Sequence, residues 1–259
     1  MKYYPLDIEN MKGNKDVDGL IQAAKKGDFD IRKNAIKALG EIGDPKAVDV
    51  LVEAMPSEET AIEAIAALGE IGGEDAILAL ISGLGSSGRF STLYHLHISY
   101  VLKNHKEQSI PHLLKFFSLY EDESYMKLPK ENQGLSRKQS LRLRGGIAFA
   151  LGVIEDIRAE EALLVALDDN DQNIRKASIY AVGQIKSKKA VEPLITALKS
   201  KKREIREAAA YALGDIKDKR AIKPLAEALR DKKKQVRSET KKALEKIGTQ
   251  DALKAIESV

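Results

Sequence analysis

Three observations predict an all-α fold, an α-α superhelix built from about seven helical hairpins in one domain spanning residues 1–259. The first is a short motif that keeps returning. Ala38-Leu39-Gly40-Glu41-Ile42-Gly43 recurs as Ala67-Leu68-Gly69-Glu70-Ile71-Gly72, Ala150-Leu151-Gly152, Ala181-Val182-Gly183 and Ala212-Leu213-Gly214. From Gly152 through Gly183 and Gly214 to Glu245 the step is 31 residues each time, a period that means stacked units rather than a globule. The second is composition: 43% hydrophobic and 32% charged, with only 5% aromatic and no Trp. Ala and Leu lose little on entering a helix, whereas sheets draw on β-branched and aromatic residues. The third is the apolar stripe Ala221, Ile222, Leu225, Ala228 and Leu229, whose spacing marks one face of a helix.

Each unit reads as two helices. The first, as in Ile205 to Ile216, carries the motif, and the second, as in Ala221 to Leu229, follows a polar turn, Lys217 to Arg220. Pro111, Pro193 and Pro224 fall early in second helices, where a missing N–H matters least. A glycine inside the first helix costs about 1 kcal/mol against alanine, so its recurrence predicts a neighbouring helix passing too close for a Cβ.

In chain order, residues 1–15 read as a lead-in and 16–27 as a half-repeat whose Val17, Leu20, Ala23 and Ala24 match the second-helix stripe. Residues 28–117 hold repeats one to three. All four histidines, His95, His97, His105 and His112, fall in the third. Residues 118–141 read as an insertion loop, where Tyr120, Tyr125 and Met126 are candidate contact residues. Residues 142–259 hold repeats four to seven. Glu160 stands where Val48, Val191 and Ile222 stand elsewhere, and the repeat pattern does not explain it.

Motifs that carry chemistry are scarce. Gly83, Gly85 and Gly88 satisfy G-x-G-x-x-G but follow a helix, so they read as an inter-repeat loop rather than a dinucleotide site. His95 and His97 lie two apart and point to different helix faces. With neither His-Glu pairs nor any His-x-x-x-His, the sequence predicts no metal, no cofactor and no catalytic residue. There are no cysteines and no long apolar run, which predicts a cytoplasmic protein with no membrane segment. Arg32, Arg175, Arg206 and Arg237 recur at the start of first helices, and Asp44, Asp156 and Asp215 soon after them. These predict an Arg–Asp ladder between units.

Charge is uneven. Residues 1–135 hold 15 basic and 21 acidic side chains, and residues 186–259 hold 21 basic and 11 acidic. Lys199, Lys201, Lys202, Arg203 and Lys232, Lys233, Lys234, Arg237 place one basic cluster at each of two successive inter-repeat loops, the basis of a nucleic-acid alternative.

Function then rests on a face. If the second helices line the concave side, their outward positions form the partner-binding surface. They are Lys46, Asp49 and Glu53, then Leu78 and Ser82, then Pro111 and Lys115. In the later repeats they are Arg158, Glu161 and Val165, then Glu192, then Lys223 and Glu227. Leu78, Pro111 and Val165 make its middle more apolar than its ends, as in a contact site rimmed by charge.

The run Ile205-Arg206-Glu207-Ala208-Ala209, Ala212-Leu213-Gly214-Asp215-Ile216 and Arg220-Ala221-Ile222-Lys223-Pro224-Leu225 resembles the short HEAT-like repeat of the phycobilisome-lyase type. The resemblance extends from about residue 16 to 259 and is strongest over 28–84 and 145–248. It implies a right-handed HEAT-like solenoid and a non-catalytic scaffold that binds a protein partner. Deoxyhypusine hydroxylases are similar in their repeats but depend on His-Glu pairs, and HEAT-like DNA glycosylases depend on a Trp-lined cleft. Both features are missing here. A bilin-lyase-like enzyme or chromophore chaperone is the alternative that the resemblance leaves open.

Overall fold

The computed structural model describes residues 7–85, 91–119 and 136–258, and all their regular structure is helical. Contacts divide the chain into two compact units, residues 1–115 with 126–143, and residues 116–125 with 144–259. No helix among the described residues is long and apolar enough to cross a membrane.

In the first unit, α1 (Ile8–Gly13) and α2 (Val17–Lys26) precede the hairpin of α3 (Phe29–Ile42) and α4 (Val48–Ala54). Then come α5 (Ala61–Ile71) with α6 (Gly73–Gly83), and α7 (Ser91–Asn104) with α8 (Lys106–Leu119), whose last residues pass into the second unit. The core is formed by one stripe of each helix, Leu20, Ile36, Leu39, Leu51, Ile65, Leu68, Ile77 and Leu80 all being buried. The lead-in is partly helical, since Asp7 accepts the Asn10 N–H and starts α1.

α9 (Arg137–Ile154) belongs to the first unit up to residue 143 and to the second from residue 144, where it is followed by α10 (Glu160–Val165). The other hairpins of the second unit are α11 (Gln172–Gln184) with α12 (Val191–Ala197), α13 (Arg203–Ile216) with α14 (Ile222–Ala228), and α15 (Lys234–Ile247) with α16 (Gln250–Glu257). Residues 137–141, which the sequence places in the insertion, belong to α9 instead. Tyr120, Tyr125 and Met126 lie outside the described residues.

The motif now has a physical reading. A Cβ on Gly183 would lie 2.8 Å from the Ala212 Cα, one on Gly152 2.9 Å from the Ala181 Cα, and one on Gly214 2.7 Å from the Ala243 Cα. In Ala181-Val182-Gly183 the alanine therefore seats the glycine of the repeat before, and the glycine seats the alanine of the repeat after. The first unit does the same with Gly40 against Ala67.

The first helices α3, α9, α11, α13 and α15 are followed by a residue at positive φ: Gly43, Glu155, Lys186, Lys217 and Gly248. Gly43 takes φ 74°, where a glycine bears no Cβ penalty, yet Lys217 takes φ 56° at the equivalent place. In the second unit the turn inside each hairpin is capped by a side chain at a 31-residue step. Asp156 accepts from Arg158 N, Ser187 from Ala190 N, Asp218 from Arg220 N, and Thr249 from Ala252 N.

Ser187 also resolves Glu160. Its hydroxyl donates to Glu160 Oε1 at 2.8 Å, while Lys189 Nζ lies 3.0 Å from Glu160 Oε2. The hydrogen bond from Ser187, helped by Lys189, holds the Glu160 carboxyl below its ordinary range. An Asp at 187, as in the neighbouring repeats, would oppose that carboxylate. The Val-to-Glu and Asp-to-Ser exchanges are therefore one compensated change.

Asp218 and Asp231 are two of the carboxylates that couple this fold to acid. The Arg220 side chain, with its backbone N–H, holds Asp218 down to about 2. The Arg206 guanidinium lowers Asp231. Both native values lie below those of an unfolded chain, so their contribution is complete above the free-Asp value of about 3.9 and is lost as pH falls through the native value. Thermal unfolding midpoints should be level near pH 6 and drop between about pH 4 and 2. In an Asp218→Asn variant the drop should be shallower, and an unchanged slope would reject the assignment.

Candidate interaction surface

The second helices position the candidate surface because their apolar stripe is spent on the core. The residues between stripe positions must face outward. In the first unit Lys46, Asp49, Glu53, Ser82, Pro111 and Lys115 are exposed. Leu78 is half-buried and contributes less than its spacing suggests. In the second unit Arg158, Glu161, Val165, Glu192, Lys223 and Glu227 are all exposed. Val165 is 63% exposed and Ile157, in the turn before α10, 60%.

Many of these charges already have partners one repeat away. Lys25 Nζ lies 3.2 Å from Glu53 Oε2 in the first unit. In the second, Lys189 pairs with Glu161, and Arg220 Nη1 lies 3.5 Å from Glu192 Oε1. Exposed pairs of this kind contribute about 0–1 kcal/mol each, so they order the surface more than they stabilise it. No ion pair engages Asp49, Lys223 or Glu227 among the described residues. Neither do three or more His, Asp or Glu side chains converge there as metal ligands among the described residues.

The predicted Arg–Asp ladder does not form as expected: of its four arginines only Arg206 pairs with an aspartate, and not with the one the sequence suggests. Arg206 Nε and Nη2 donate to the two Asp231 oxygens at 2.6 and 3.0 Å, and Nη1 donates to Ser200 O at 2.8 Å. Arg144, one register place earlier than Arg175, pairs with Asp169 and donates to Phe117 O at 3.2 Å. Arg175 donates to backbone carbonyls at Asp169 and Asn170, and Arg237 to Asp231 O. Arg32 pairs with Glu59 at 2.8 Å. The carboxylates that serve the buried arginines stand in the next inter-repeat loop, 25 residues on.

Asp44 and Asp156 cap turns instead, and Asp215 is not their equivalent; Asp218 is. Asp215 belongs to a second ladder that sequence reasoning missed. It accepts from Gln184 Nε2 at 3.2 Å and from Lys246 Nζ at 2.7 Å. Beside it Tyr180 and Tyr211 meet edge to face at 5.2 Å, and Lys246 lies 4.3 Å from the Tyr211 ring centre. The signal for it lies in the 31-residue steps 180–211 and 184–215–246.

Comparison with known proteins agrees with this architecture. A family model of HEAT repeats matches residues 17–90, 132–213 and 191–259. Among curated proteins none matches the sequence. Among solved structures, a chain from the complex of Kap95p with RanGDP is similar with a TM-score of 0.64 at 11% identity, over 97% of this chain and 38% of that one. A chain of the CpcE–CpcF complex of phycocyanin lyase from Nostoc is similar at 20% identity and a TM-score of 0.46, over 93% and 92% of the two chains. Human deoxyhypusine hydroxylase is similar at 20% identity and a TM-score of 0.43, over 93% and 88%. With the family model matched over most of its length, the chain belongs to the HEAT-repeat family.

Proposed function

We propose that this protein is a non-catalytic scaffold that binds a protein partner through the outward row of its second helices. The observation that carries the reading is the state of that row in the second unit. Val165, an apolar side chain that the core does not use, is exposed beside Arg158 and Glu161, with Glu192, Lys223 and Glu227 on the following helices. An apolar centre with a polar rim is the usual anatomy of a protein contact, and a repeat array supplies it on a rigid support. In the first unit Lys46, Asp49, Glu53, Leu78, Ser82, Pro111 and Lys115 would serve the same role, and Tyr120, Tyr125 and Met126 are proposed to add to it.

The test is affinity capture from a lysate of the source, with mass spectrometry at moderate salt. Val165→Asp combined with Lys223→Glu should reduce recovery of a stoichiometric partner at least tenfold, the loss of one anchor being worth about 1–2 kcal/mol. Both positions are exposed, so the fold should be unaffected. Undiminished capture by this variant would place the binding surface elsewhere.

A further inference from the structure

The inter-repeat loops of the second unit break a local rule twice at the same register. Asp171 caps α11, its carboxylate accepting from Asn173 N and Ile174 N. One and two repeats later the cap position is Lys202, before α13, and Lys233, before α15, and neither helix receives a side-chain cap. A lysine there loses the cap and sets a positive charge against the positive end of the helix dipole. The four turns at the other edge of the same hairpins all keep their caps. Stability therefore does not explain the exchange.

The acidic residues that interleave with these lysines in sequence do not neutralise them in space. Asp231 is held by Arg206, and Glu204 by Arg203 at 3.1 Å. Lys199, Lys201, Lys202, Lys232, Lys233 and Lys234 are all exposed, and none has an ion-pair partner among the described residues. The edge is thus a row with six uncompensated lysines on two loops, about 8–10 Å apart if set by the packing of neighbouring helices.

What such a row can bind follows from what it lacks. No large exposed hydrophobic residue falls between 186 and 252 among the described residues. Protein contacts are anchored by buried apolar or aromatic side chains, and single-stranded nucleic acids by aromatic stacking. A duplex backbone needs neither, because it presents regular phosphates to point charges.

We propose that the edge formed by residues 199–203 and 230–234 binds the phosphate backbone of a nucleic-acid duplex without sequence preference. This surface is separate from the second-helix row, and its test does not depend on that reading. The probe is a labelled 20-base-pair DNA duplex of mixed sequence, followed by fluorescence anisotropy from 50 to 200 mM salt. Six phosphate contacts give a log–log salt slope near −5, so affinity should fall about 10³-fold over that range.

The variant Lys201→Gln, Lys202→Gln, Lys232→Gln, Lys233→Gln should bring the slope to about −2 and the loss to about tenfold. A charge-matched control, Lys186→Gln, Lys188→Gln, Lys217→Gln, Lys219→Gln, removes as many cations from the opposite edge and should bind like the parent. A second duplex of scrambled sequence should bind equally. Circular dichroism melts should show the control matching the parent and the basic-edge variant at least as stable, since Lys202→Gln and Lys233→Gln remove charges that oppose the helix dipole. No duplex binding at 50 mM salt, equal losses in the two variants, or tighter binding of a 20-residue polyglutamate peptide than of the duplex would each overturn the proposal.

Discussion

Replacing Arg206 by alanine should lower the unfolding free energy by about 3 kcal/mol, seen as a fall of about 1 M in the urea midpoint followed by circular dichroism. The size follows from burial. The Arg206 and Asp231 side chains are only 6% and 12% exposed, and the guanidinium fork meets both carboxylate oxygens. Truncating the arginine leaves a largely buried carboxylate and the Ser200 carbonyl without their donor, and the penalty is that of an uncompensated charge rather than of a lost attraction. Lysine at 206 should recover only part of it, because a single ammonium cannot span both oxygens.

Arg237 provides the comparison. It stands at the same register, is exposed, and donates to one backbone carbonyl. Arg237→Ala should cost no more than about 1 kcal/mol. The double change Arg206→Met with Asp231→Leu should be milder than Arg206→Ala alone, since it removes both charges and keeps the volume. If the two alanine variants lose equal stability, burial does not set the strength of this ladder.

This pair also shows how far the sequence could be read. The recurrence of Arg206 is visible in a 31-residue period, but its acceptor is not. Asp231 lies in the following loop, and only the stacking of α13 on α15 brings the two together. Proximity along the chain points instead to Asp215, three residues short of the repeating cap Asp218, and so merges two different ladders. Glu160 is opaque for the same reason, as its partner Ser187 belongs to the next repeat.

The second-helix face was legible by subtraction, since residues off the core stripe must point outward, and all but Leu78 are exposed. The basic edge was only half legible. Sequence places Glu204 and Asp231 among the lysines, and the fold shows that arginines have already taken them.

The glycine of the motif gives a prediction whose sign depends on packing alone. In an exposed helix, Gly→Ala is stabilising by about 1 kcal/mol, because alanine loses less backbone entropy. Gly145 in α9 has nothing within 4 Å of where an alanine methyl would stand, and Gly145→Ala should raise the urea midpoint accordingly. At Gly183 the same methyl would sit 2.8 Å from the Ala212 Cα and 2.9 Å from its Cβ, and at Gly214 2.7 and 2.9 Å from those of Ala243. These are atoms of a neighbouring helix, so relief requires the helices to move apart. Overpacking of this kind costs about 1–3 kcal/mol or more, enough to outweigh the propensity gain. Gly183→Ala and Gly214→Ala should therefore lower stability by about 1–2 kcal/mol, and Gly183→Val, whose β-branching forfeits most of the gain, by about 3 kcal/mol. The measurement is the same urea midpoint across the four variants. Should Gly183→Ala stabilise as Gly145→Ala does, the helices yield at no cost and the recurrence of glycine needs another cause. Opposite signs would identify close approach between first helices as the reason the motif keeps its glycine.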